Sequence, residues 1–494
     1  MSPFSRREFL ERSALFSAAA AVGVSADNGS ARAAEKAAVA AKGSANDRLR
    51  VAVVGVRGRG MSHVAGYLGK NNCEIVAVCD CDEGSIGKAM ESITKVQGEA
   101  PKYVKDFRKL IEDKNIDIIS AATPNHWHAL MAVWAMRSGK DVYVEKPATH
   151  NVREGRIMAE TMAKTGRICQ VGTQSRSNPG MREAIAYIHA GKIGKVDLAY
   201  GTCYKPRKSI GKVESATAPP KTMDYDLWTG PAHLLPVKRK SLHYDWHWIW
   251  EYGNGDFGNQ GVHEVDKARW GLNVPGLPSG VVTVGGRFGY IDDGETPNTE
   301  LSLYDYGNNK HLIFEVRGLD TKDYMGAKVG NIWFGSEGYV VCPNYGGGSA
   351  FDKDGKVLAK FSGGGDQHHF DNFVKAVRSR KASDLNCPAE EGHYSAALCH
   401  LANISYRLGA ESTMEKADAA YAGDKAATEA LARMKKHLED NKVDLKTAIG
   451  RVGPKLTLDT KSEKFTATSA GELSQANDML FREYRKGFEL TETA

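Results

Sequence analysis

The chain has 494 residues, which is more than one hydrophobic core usually supports, so two domains with terminal extensions are expected. Charged residues make up 26% of the sequence and the net charge is only +6. So small a positive surplus, without basic runs, argues against a nucleic-acid-binding protein.

The first 33 residues have the pattern of an export signal. An arginine pair lies within Ser5 to Leu10, an alanine-rich apolar stretch runs from Ser13 to Ser25, and Ala31 to Ala33 offers small residues to a signal peptidase. The apolar stretch is too short to span a bilayer, so we expect no stable membrane span in the mature protein. We predict a cleaved twin-arginine signal over residues 1–33, passage through the twin-arginine translocation machinery, and a periplasmic or otherwise exported protein. An uncleaved tether and a disordered cytoplasmic leader are the alternatives.

Residues 34–48 have the composition of a flexible linker, and a regular rhythm begins at residue 49. Short β-branched runs alternate there with helical stretches. The runs are Leu49 to Val54, Glu74 to Cys79, Ile116 to Ala121, Asp141 to Val144 and Arg167 to Val171. This alternation predicts an α/β fold for residues 49–172, with crossover helices on a doubly wound parallel sheet whose strands are buried on both faces.

The regular alternation of predicted strands and helices ends after Gly172. Strand-like stretches follow at Val281 to Phe288 and Leu301 to Tyr306, and helical periodicity marks His369 to Ser379 and Glu391 to Leu408. We therefore predict an α+β domain with an open mixed or antiparallel sheet over residues 173–410, and a C-terminal extension over residues 411–494. The eight cysteines are scattered without the spacing of a metal or redox site, so no metal is expected.

A glycine-rich turn follows the first predicted strand. Gly55, Gly58 and Gly60 lie where the strand ends and a helix should begin, so backbone amides and the helix N-terminus can face a pyrophosphate. The spacing departs from G-x-G-x-x-G because Arg57 takes the place of the second glycine. Arg57 either lies over the phosphates or is an exposed loop residue, and Arg59 belongs to the same candidate cofactor site.

An acidic residue at the end of the second predicted strand supports a dinucleotide site. Asp80 follows Gly60 by twenty positions, where a carboxylate can accept hydrogen bonds from an adenosine ribose. Because an acid there disfavours a ribose phosphate, the sequence favours NAD over NADP. The alternative is a helix cap, a part that Asp82 could also play.

Two further motifs follow predicted strands: Thr123-Pro124-Asn125 with His128, and Glu145-Lys146-Pro147. Strand C-termini line the ligand crevice of an open parallel sheet, so these residues are expected at the cofactor and Lys146 close to the nicotinamide. Oxidation of an alcohol requires removal of its hydroxyl proton. A partly desolvated lysine beside a cationic ring has a lowered pKa suited to that step.

Polar residues at helical spacing mark the second half of the chain. Asn259, His263 and Asp266 can share one helix face, and His263 is the natural proton-transfer partner of Lys146, although a lone histidine is more often structural. The candidate substrate residues are Asn259, Asp256, Trp248 and Tyr204. The stretch from His243 to Tyr252 alternates aromatic and polar residues, which favours a carbohydrate ligand or else a strand with one buried aromatic face.

These motifs together resemble the Gfo/Idh/MocA oxidoreductases over roughly residues 49–410. The resemblance implies a Rossmann domain, an open-faced sheet domain that presents the substrate and often mediates oligomerisation, a catalytic Lys146 and a catalytic His263. A dimer or tetramer is therefore expected. Many sugar dehydrogenases of this family have aspartate four residues before that histidine, where this chain has Asn259, so the proton relay either differs or passes to Asp256, Glu264 or Lys146.

Three functions fit these observations. The first is an oxidoreductase with tightly bound NAD that acts on a sugar, polyol or glycoside. The second is an exported glycoside hydrolase that uses bound NAD in a transient oxidation and elimination. The third is a carbohydrate-binding protein without turnover, against which the presence of both Lys146 and His263 argues.

Overall fold

The computed structural model describes residues 47–469 and 473–491. The predicted signal peptide and most of the predicted linker lie outside these residues. From Leu49 onward the chain forms one unit. Within the described residues, every helix is too short or too polar to cross a bilayer.

The N-terminal half of this unit is built on a six-stranded parallel sheet, with the order β3-β2-β1-β4-β5-β6. Its strands are β1 (Leu49–Val54), β2 (Cys73–Cys79), β3 (Lys102–Val104), β4 (Ile118–Ala121), β5 (Asp141–Val144) and β6 (Cys169–Val171). The predicted α/β class is therefore confirmed. Of the six strands, β3 was not predicted from the sequence, because the apolar run of a three-residue edge strand is too short to recognise.

Crossover helices connect these strands: α1 (Gly60–Tyr67), α2 (Gly87–Gln97), α3 (Arg108–Glu112), α4 (Asn125–Arg137) and α5 (Val152–Thr165). The strand order reverses between β1 and β4. Ligands bind in the crevice that such a reversal opens at the carboxyl ends of the strands. The strand order thus fixes where the functional residues meet.

The second half contains a mixed sheet, with the order β14-β13-β12-β11-β7-β10-β9-β8-β16-β15 and with β17 and β18 attached at β8. Strands β7 and β10 run parallel, and the other pairs are antiparallel. The strands are β7 (Val196–Cys203), β8 (Gly280–Gly286), β9 (Thr299–Asp305), β10 (His311–Arg317), β11 (Val329–Gly335), β12 (Gly338–Cys342), β13 (Gly348–Asp352), β14 (Val357–Phe361), β15 (Ala410–Thr413), β16 (Ile449–Val452), β17 (Leu456–Asp459) and β18 (Lys464–Thr468).

The helices of this half are α6 (Pro179–His189), α7 (Tyr225–Thr229), α8 (Val262–Leu272), α9 (Gln367–Ser379), α10 (Ala389–Leu408), α11 (Lys425–Asp440) and α12 (Leu473–Asp478). Helices α8 and α10 bury apolar side chains such as Val265 and Leu401 with one face of the mixed sheet. A π-helical turn, Phe257–Gly261, leads directly into α8. This turn carries one of the predicted site residues, Asn259.

The opposite face of the mixed sheet is less open than the family resemblance implied. Helix α11 places Ala430, Leu431, Met434 and Leu438 on one side, at helical spacing, and packs them on sheet residues such as Ile313. Residues of the predicted C-terminal extension also supply β15 to β18. The extension is thus part of the sheet domain, and its own amphipathic helix covers part of this face.

Candidate active site

A cavity of about 680 Å³ lies at the point where the parallel sheet reverses its strand order. This volume lies within the range of ligand pockets, ~300–1,000 Å³. One end is lined by the carboxyl ends of β1 and β2 and the other by the turns after β4 and β5, with walls from the second half of the chain. The predicted site residues that line it are Gly55, Arg57, Gly58, Arg59, Asp80, Thr123, Pro124, Asn125, His128, Glu145, Lys146, Asn259 and His263.

The glycine turn has the shape of a phosphate cradle. A Cβ on Gly60 would lie 1.9 Å from the carbonyl oxygen of Gly55, and a Cβ on Gly55 would lie 2.7 Å from the carbonyl oxygen of Ala122. Gly55 also has a φ of 77°, in the left-handed region. A Cβ on Gly58 would meet no atom of the protein within 4 Å, so the space beside it at the N-terminus of α1 is open. These features fit a pyrophosphate, and Arg57 is exposed at the rim of the same turn.

The sequence left open whether Asp80 or Asp82 is the helix cap, and the structure gives the two residues different roles. The Asp80 carboxylate lines the cavity and accepts hydrogen bonds from the backbone N–H of Val56 at 3.1 Å and of Asp82 at 3.0 Å. Burial raises the pKa of Asp80 to about 6, against the effect of these two N–H groups. Asp82 instead caps a short 3₁₀ turn through the N–H of Gly84. Asp80 is therefore the residue placed to meet an adenosine ribose.

Lys146 lies at the other end of the cavity and is held by the second half of the chain. Its Nζ donates a hydrogen bond to the backbone carbonyl of Asn259. Burial lowers the pKa of Lys146, and the positive charges of Arg59 and Lys205 act in the same direction, against Glu145 and Glu264. The acceptor belongs to a π-helical turn, a feature that often occurs at functional sites.

His263 follows that turn and lines the same end of the cavity. The side chain is buried, its Nδ1 has no hydrogen-bond partner among the described residues, and its ring lies 4.8 Å from that of Tyr345, centroid to centroid. Burial and the neighbouring Lys146 hold the pKa of His263 well below its ordinary value. The imidazole is therefore neutral; its Nδ1 is enclosed by the protein, while the ring as a whole borders the cavity.

Glu145 anchors the turn that carries Lys146. Its Oε1 accepts hydrogen bonds from Arg59 Nε at 2.8 Å and from Gln174 Nε2 at 3.0 Å, and lies 3.2 Å from His63 Nε2. Burial alone would raise the pKa of Glu145, but Arg59 and His63 hold it well below its ordinary value. Arg59 also pairs with Asp366 at 2.5 Å. One ion-pair network thus ties the glycine turn, the lysine turn and α9 together.

His128 likewise positions backbone segments. Its Nδ1 lies 2.6 Å from the carbonyl oxygen of Pro147 and its Nε2 lies 2.7 Å from that of Thr123. The ring thus lies between the turn after β4 and the turn that carries Lys146. Because burial lowers the pKa of His128, the neutral ring donates to one of these two carbonyl oxygens. Asn125, at the start of α4, donates from Nδ2 to Asn254 Oδ1 at 3.0 Å and so connects the cavity wall to the segment before the π turn.

Three of the four predicted substrate residues and one cofactor residue do not line the cavity: Asp256, Trp248, Tyr204 and Gly60. Asp256 is buried in an ion pair with Arg207, 2.6 Å between Oδ1 and Nη2. The Tyr204 hydroxyl donates to Glu315 at 2.7 Å within the domain core. Gly60 acts through the shape of the turn, as its contact with Gly55 shows. Asn259 lines the cavity and donates from Nδ2 to Asp256 at 3.4 Å.

The aromatic stretch contributes different residues from those expected. Asp245–Trp248 forms a 3₁₀ turn, so its side chains do not alternate as they would in a strand. Trp248 is buried, whereas His243, Tyr244, Trp246 and His247 line the cavity. Sequence reasoning also missed Gln174, Trp228, Tyr345 and Asp366 as cavity residues, since only the tertiary fold brings them to the site.

The segment that carries these aromatic residues crosses to the Rossmann half. Thr222 Oγ1 donates to Asp82 Oδ1 at 2.6 Å, and His243 Nε2 lies 2.9 Å from Asp82 Oδ2. The backbone N–H of Asp224 donates to the carbonyl of Cys81 at 2.9 Å. The segment is thus anchored beside Asp80, and its aromatic side chains form a wall of the cavity.

Fold and cavity together define an NAD-binding Rossmann protein with a second α/β domain that completes the site. Residues 49–173 match the model described as the NAD-binding Rossmann fold of the oxidoreductase family Gfo/Idh/MocA. Residues 195–286 match the C-terminal alpha/beta domain of that family. The chain therefore has the Gfo/Idh/MocA NAD-binding oxidoreductase fold, as its motifs predicted.

Curated relatives share part of the chain. A glycosyl hydrolase family 109 protein from Saccharopolyspora erythraea is 35% identical over 210 residues, 40% of this chain and 46% of the relative. An alpha-N-acetylgalactosaminidase from Shewanella oneidensis is 33% identical over 127 residues, 25% of this chain and 28% of the relative. Each match thus spans less than half of the relative's length.

A solved structure shares the fold over a longer stretch. It is the WlbA dehydrogenase from Bordetella pertussis in complex with NADH and UDP-GlcNAcA, with a TM-score of 0.53. The match covers 71% of this chain and 94% of that chain at 18% identity. At this identity the likeness supports the fold.

Proposed function

We propose that the protein is an NAD-dependent oxidoreductase that oxidises a CH–OH group of a sugar, polyol or glycoside. One observation carries the proposal: Lys146 and the imidazole ring of His263 line one end of a cavity whose other end has a phosphate cradle and a carboxylate placed to meet a ribose. Aromatic and imidazole side chains from His243 to His247 line the wall, which suits a polyhydroxylated ligand.

Bound NAD supplies the hydride acceptor for this chemistry. Lys146, with its lowered pKa, takes the hydroxyl proton of the substrate at Nζ when it is neutral, and the carbonyl of Asn259 holds that nitrogen in place. The neutral imidazole of His263 lines the same end of the cavity and exchanges a hydrogen bond with that hydroxyl group. Glu145 and Arg59 fix the lysine turn against the glycine turn, which keeps both groups in register with the cofactor cavity.

We further propose that the protein is exported through the twin-arginine pathway with its cofactor bound. The pair Arg6 and Arg7 and the anchored segment beside Asp80 support this, because that segment walls the adenosine end of the cavity. The test is purification from a periplasmic fraction without added nucleotide, followed by denaturation and measurement of released adenine nucleotide. An apo protein that also fails to bind added NAD would contradict both the retention and the oxidoreductase proposal.

The second candidate is a glycoside hydrolase that uses bound NAD transiently, because two curated relatives carry glycosyl hydrolase or alpha-N-acetylgalactosaminidase names. Oxidation of a ring hydroxyl acidifies the neighbouring C–H, elimination expels the aglycone, and water addition followed by reduction restores the ring. The cycle has no net electron acceptor, which suits a compartment without free nucleotide.

One assay separates the two candidates. Nitrophenyl α-N-acetylgalactosaminide is incubated with the nucleotide-loaded protein while nitrophenol release and NADH absorbance are followed together. Nitrophenol release at constant NADH supports the hydrolase. Accumulation of NADH with free sugars, without nitrophenol release, supports the dehydrogenase. The expected dimer or tetramer remains a proposal, and light scattering of the purified protein tests it.

A further inference from the structure

The turn after β6 brings a carboxamide to the lysine end of the cavity. Gln174 begins a 3₁₀ turn, Gln174–Ser177, three residues after the last residue of β6. A Cβ on Gly172 would lie 2.9 Å from the Cδ of Glu145, so the absence of a side chain there lets the Glu145 carboxylate pack against this turn. The side chain of Gln174 consequently lies next to Glu145 and lines the cavity.

A histidine of α9 holds this turn in place. His369 is buried, and burial lowers its pKa to about 4, so its ring is neutral. Its Nε2 lies 2.9 Å from the carbonyl oxygen of Val171, which can only accept, so Nε2 carries the proton. Its Nδ1 therefore accepts from the Ser177 hydroxyl at 2.6 Å. One rigid ring thus fixes both ends of the segment that carries Gln174.

Two acceptors fix the orientation of the Gln174 carboxamide. Its Nε2 donates to Glu145 Oε1 at 3.0 Å and to Tyr143 Oη at 3.1 Å. Burial alone would raise the pKa of Glu145, but Arg59 and His63 hold it well below its ordinary value, so this carboxylate is ionised and can only accept. The amide nitrogen must therefore face Glu145. Both of its N–H groups are used, and Oε1 is the atom that remains.

The Oε1 atom of Gln174 is an unused acceptor that a ligand can reach. It has no hydrogen-bond partner among the described residues. Unlike the unpartnered Nδ1 of His263, it is not enclosed by the protein, and the residue that carries it borders the cavity. Carbonyl oxygens of buried side chains in proteins are nearly always paired. The free oxygen therefore indicates a hydrogen-bond donor on the ligand.

The charged groups beside this oxygen already have partners. Arg59 pairs with Glu145 at 2.8 Å and with Asp366 at 2.5 Å. Lys146 donates from Nζ to the backbone carbonyl of Asn259. A ligand group that meets the free oxygen is therefore expected to be a neutral N–H or O–H donor.

The position of Gln174 indicates which part of the ligand supplies that donor. Gln174 Nε2 and Arg59 Nε both donate to one atom, Glu145 Oε1. Arg59 belongs to the glycine turn that forms the phosphate cradle, and Glu145 directly precedes Lys146. Gln174 thus lies beside both turns, on the path from the phosphate cradle to the lysine. NAD places its nicotinamide half on this path if the proposed function holds.

We propose that Gln174 recognises the carboxamide of the nicotinamide ring, with its Oε1 accepting a hydrogen bond from the carboxamide NH2 group. This inference rests on the proposed function, because it takes NAD as the ligand. The carboxamide is a substituent of the ring, so holding it fixes the rotation of the ring about its bond to the ribose. Gln174 is therefore a positioning residue for the cofactor, and it selects against nucleotides that lack the NH2 group.

The test is a competition between NAD and its 3-acetylpyridine analogue, in which a methyl group replaces the carboxamide NH2. The purified protein is held in a large excess of an equimolar mixture until the bound ratio is constant. Free nucleotide is then removed, the protein is denatured, and both nucleotides are measured by chromatography. Wild-type protein should hold about three- to tenfold more NAD than analogue, the range that one hydrogen bond supplies.

The variant Gln174→Met should hold the two nucleotides in equal amounts, within about twofold. Gln367→Met is the matched control. It makes the same substitution at a half-buried glutamine of α9 that does not line the cavity, and it should keep the wild-type ratio. Loss of the preference in Gln174→Met but not in Gln367→Met supports the proposal.

Equal amounts of both nucleotides on the wild-type protein would overturn the proposal, and this result does not depend on whether a variant folds. A preference that persists in Gln174→Met would also overturn it, because Gln174 would then meet a group that both nucleotides share, such as a ribose hydroxyl. Loss of the preference in both variants would overturn it as well. A wild-type protein that binds neither nucleotide would overturn the proposed function itself, so the two failures are distinguishable.

Discussion

Replacement of Lys146 by methionine should separate catalysis from binding and folding. The change deletes one charge-assisted hydrogen bond to the Asn259 carbonyl, a loss of about 1.5–3 kcal/mol. It also removes a desolvated cation near Arg59 and Lys205, which offsets that loss. We therefore expect a small net change in Tm. Turnover should fall about 10²–10⁴-fold, which corresponds to about 3–5 kcal/mol in the barrier, because the group that accepts the proton is gone.

The pH dependence gives this prediction a second readout. The folded-state pKa of Lys146 lies below its ordinary value of 10.5, so the unfolded chain binds more protons between the two values. The contribution of Lys146 to folding stability therefore rises with pH across that window, and Lys146→Met should remove this part of the rise. Activity of the wild-type protein should increase with pH through the folded-state pKa, as the lysine loses its proton.

Lys205→Met is the matched control. Lys205 is exposed and donates to Gln260 Oε1 at 3.2 Å, and its charge lowers the pKa of Lys146. Its removal should keep turnover within about tenfold of the wild-type value. The pH–rate profile should move to higher pH, because the pKa of Lys146 rises when the charge of Lys205 is lost. Stopped assays across pH and thermal melts measure both variants. Wild-type turnover by Lys146→Met, with NAD still bound, would refute the role of the lysine.

Three further predictions concern the cofactor turn and the proton relay. Gly60→Ala should abolish nucleotide retention with the far-UV spectrum unchanged, because its Cβ would lie 1.9 Å from the Gly55 carbonyl oxygen; Gly87→Ala, an exposed position outside the cavity whose Cβ meets nothing within 4 Å, should retain nucleotide, and equal retention by both variants would contradict the cradle. Asp80→Asn should weaken NAD binding in a fluorescence titration yet raise Tm above pH 6, because the folded-state pKa of about 6 exceeds the ordinary 3.8 and the buried carboxylate loses stability as pH rises through that window; a lower Tm at pH 8 would count against this. Asn259→Asp should lower both activity and Tm, since the amide that donates to Asp256 at 3.4 Å would become a second carboxylate; a gain in dehydrogenase activity would instead show that aspartate is tolerated here.

Much of the Rossmann half could be predicted from the sequence because its signals are local. Strands β1 and β5 were placed with their observed bounds, and β2 began one residue earlier than expected. The glycine turn, Asp80 and the Lys146 turn follow strands whose carboxyl ends must meet at one edge of the sheet. The position of these residues at the ends of buried strands was therefore enough to predict that they line one cavity.

The substrate end could not be predicted in the same way. Trp248 and Tyr204 were predicted to bind ligand because of their residue types. Trp248 is instead buried in a 3₁₀ turn, and the hydroxyl group of Tyr204 donates to Glu315. Gln174 and Tyr345 line the cavity, although no local motif marks either residue. Loop conformation over residues 205–253 depends on contacts with Asp82, more than a hundred residues away in sequence.

The amino-acid sequence by itself determined the parallel sheet, the cofactor turn and the lysine at its edge, because strand periodicity and turn chemistry act between near neighbours along the chain. Tertiary structure alone decided which polar side chains face a ligand and which are consumed in buried pairs. It also decided that α11 covers part of the mixed sheet. The physical reason is that burial and pairing depend on residues that are far apart in the sequence. Arg207 pairs with Asp256 and so removes that carboxylate from the site, whereas the ring of His263 lines the cavity.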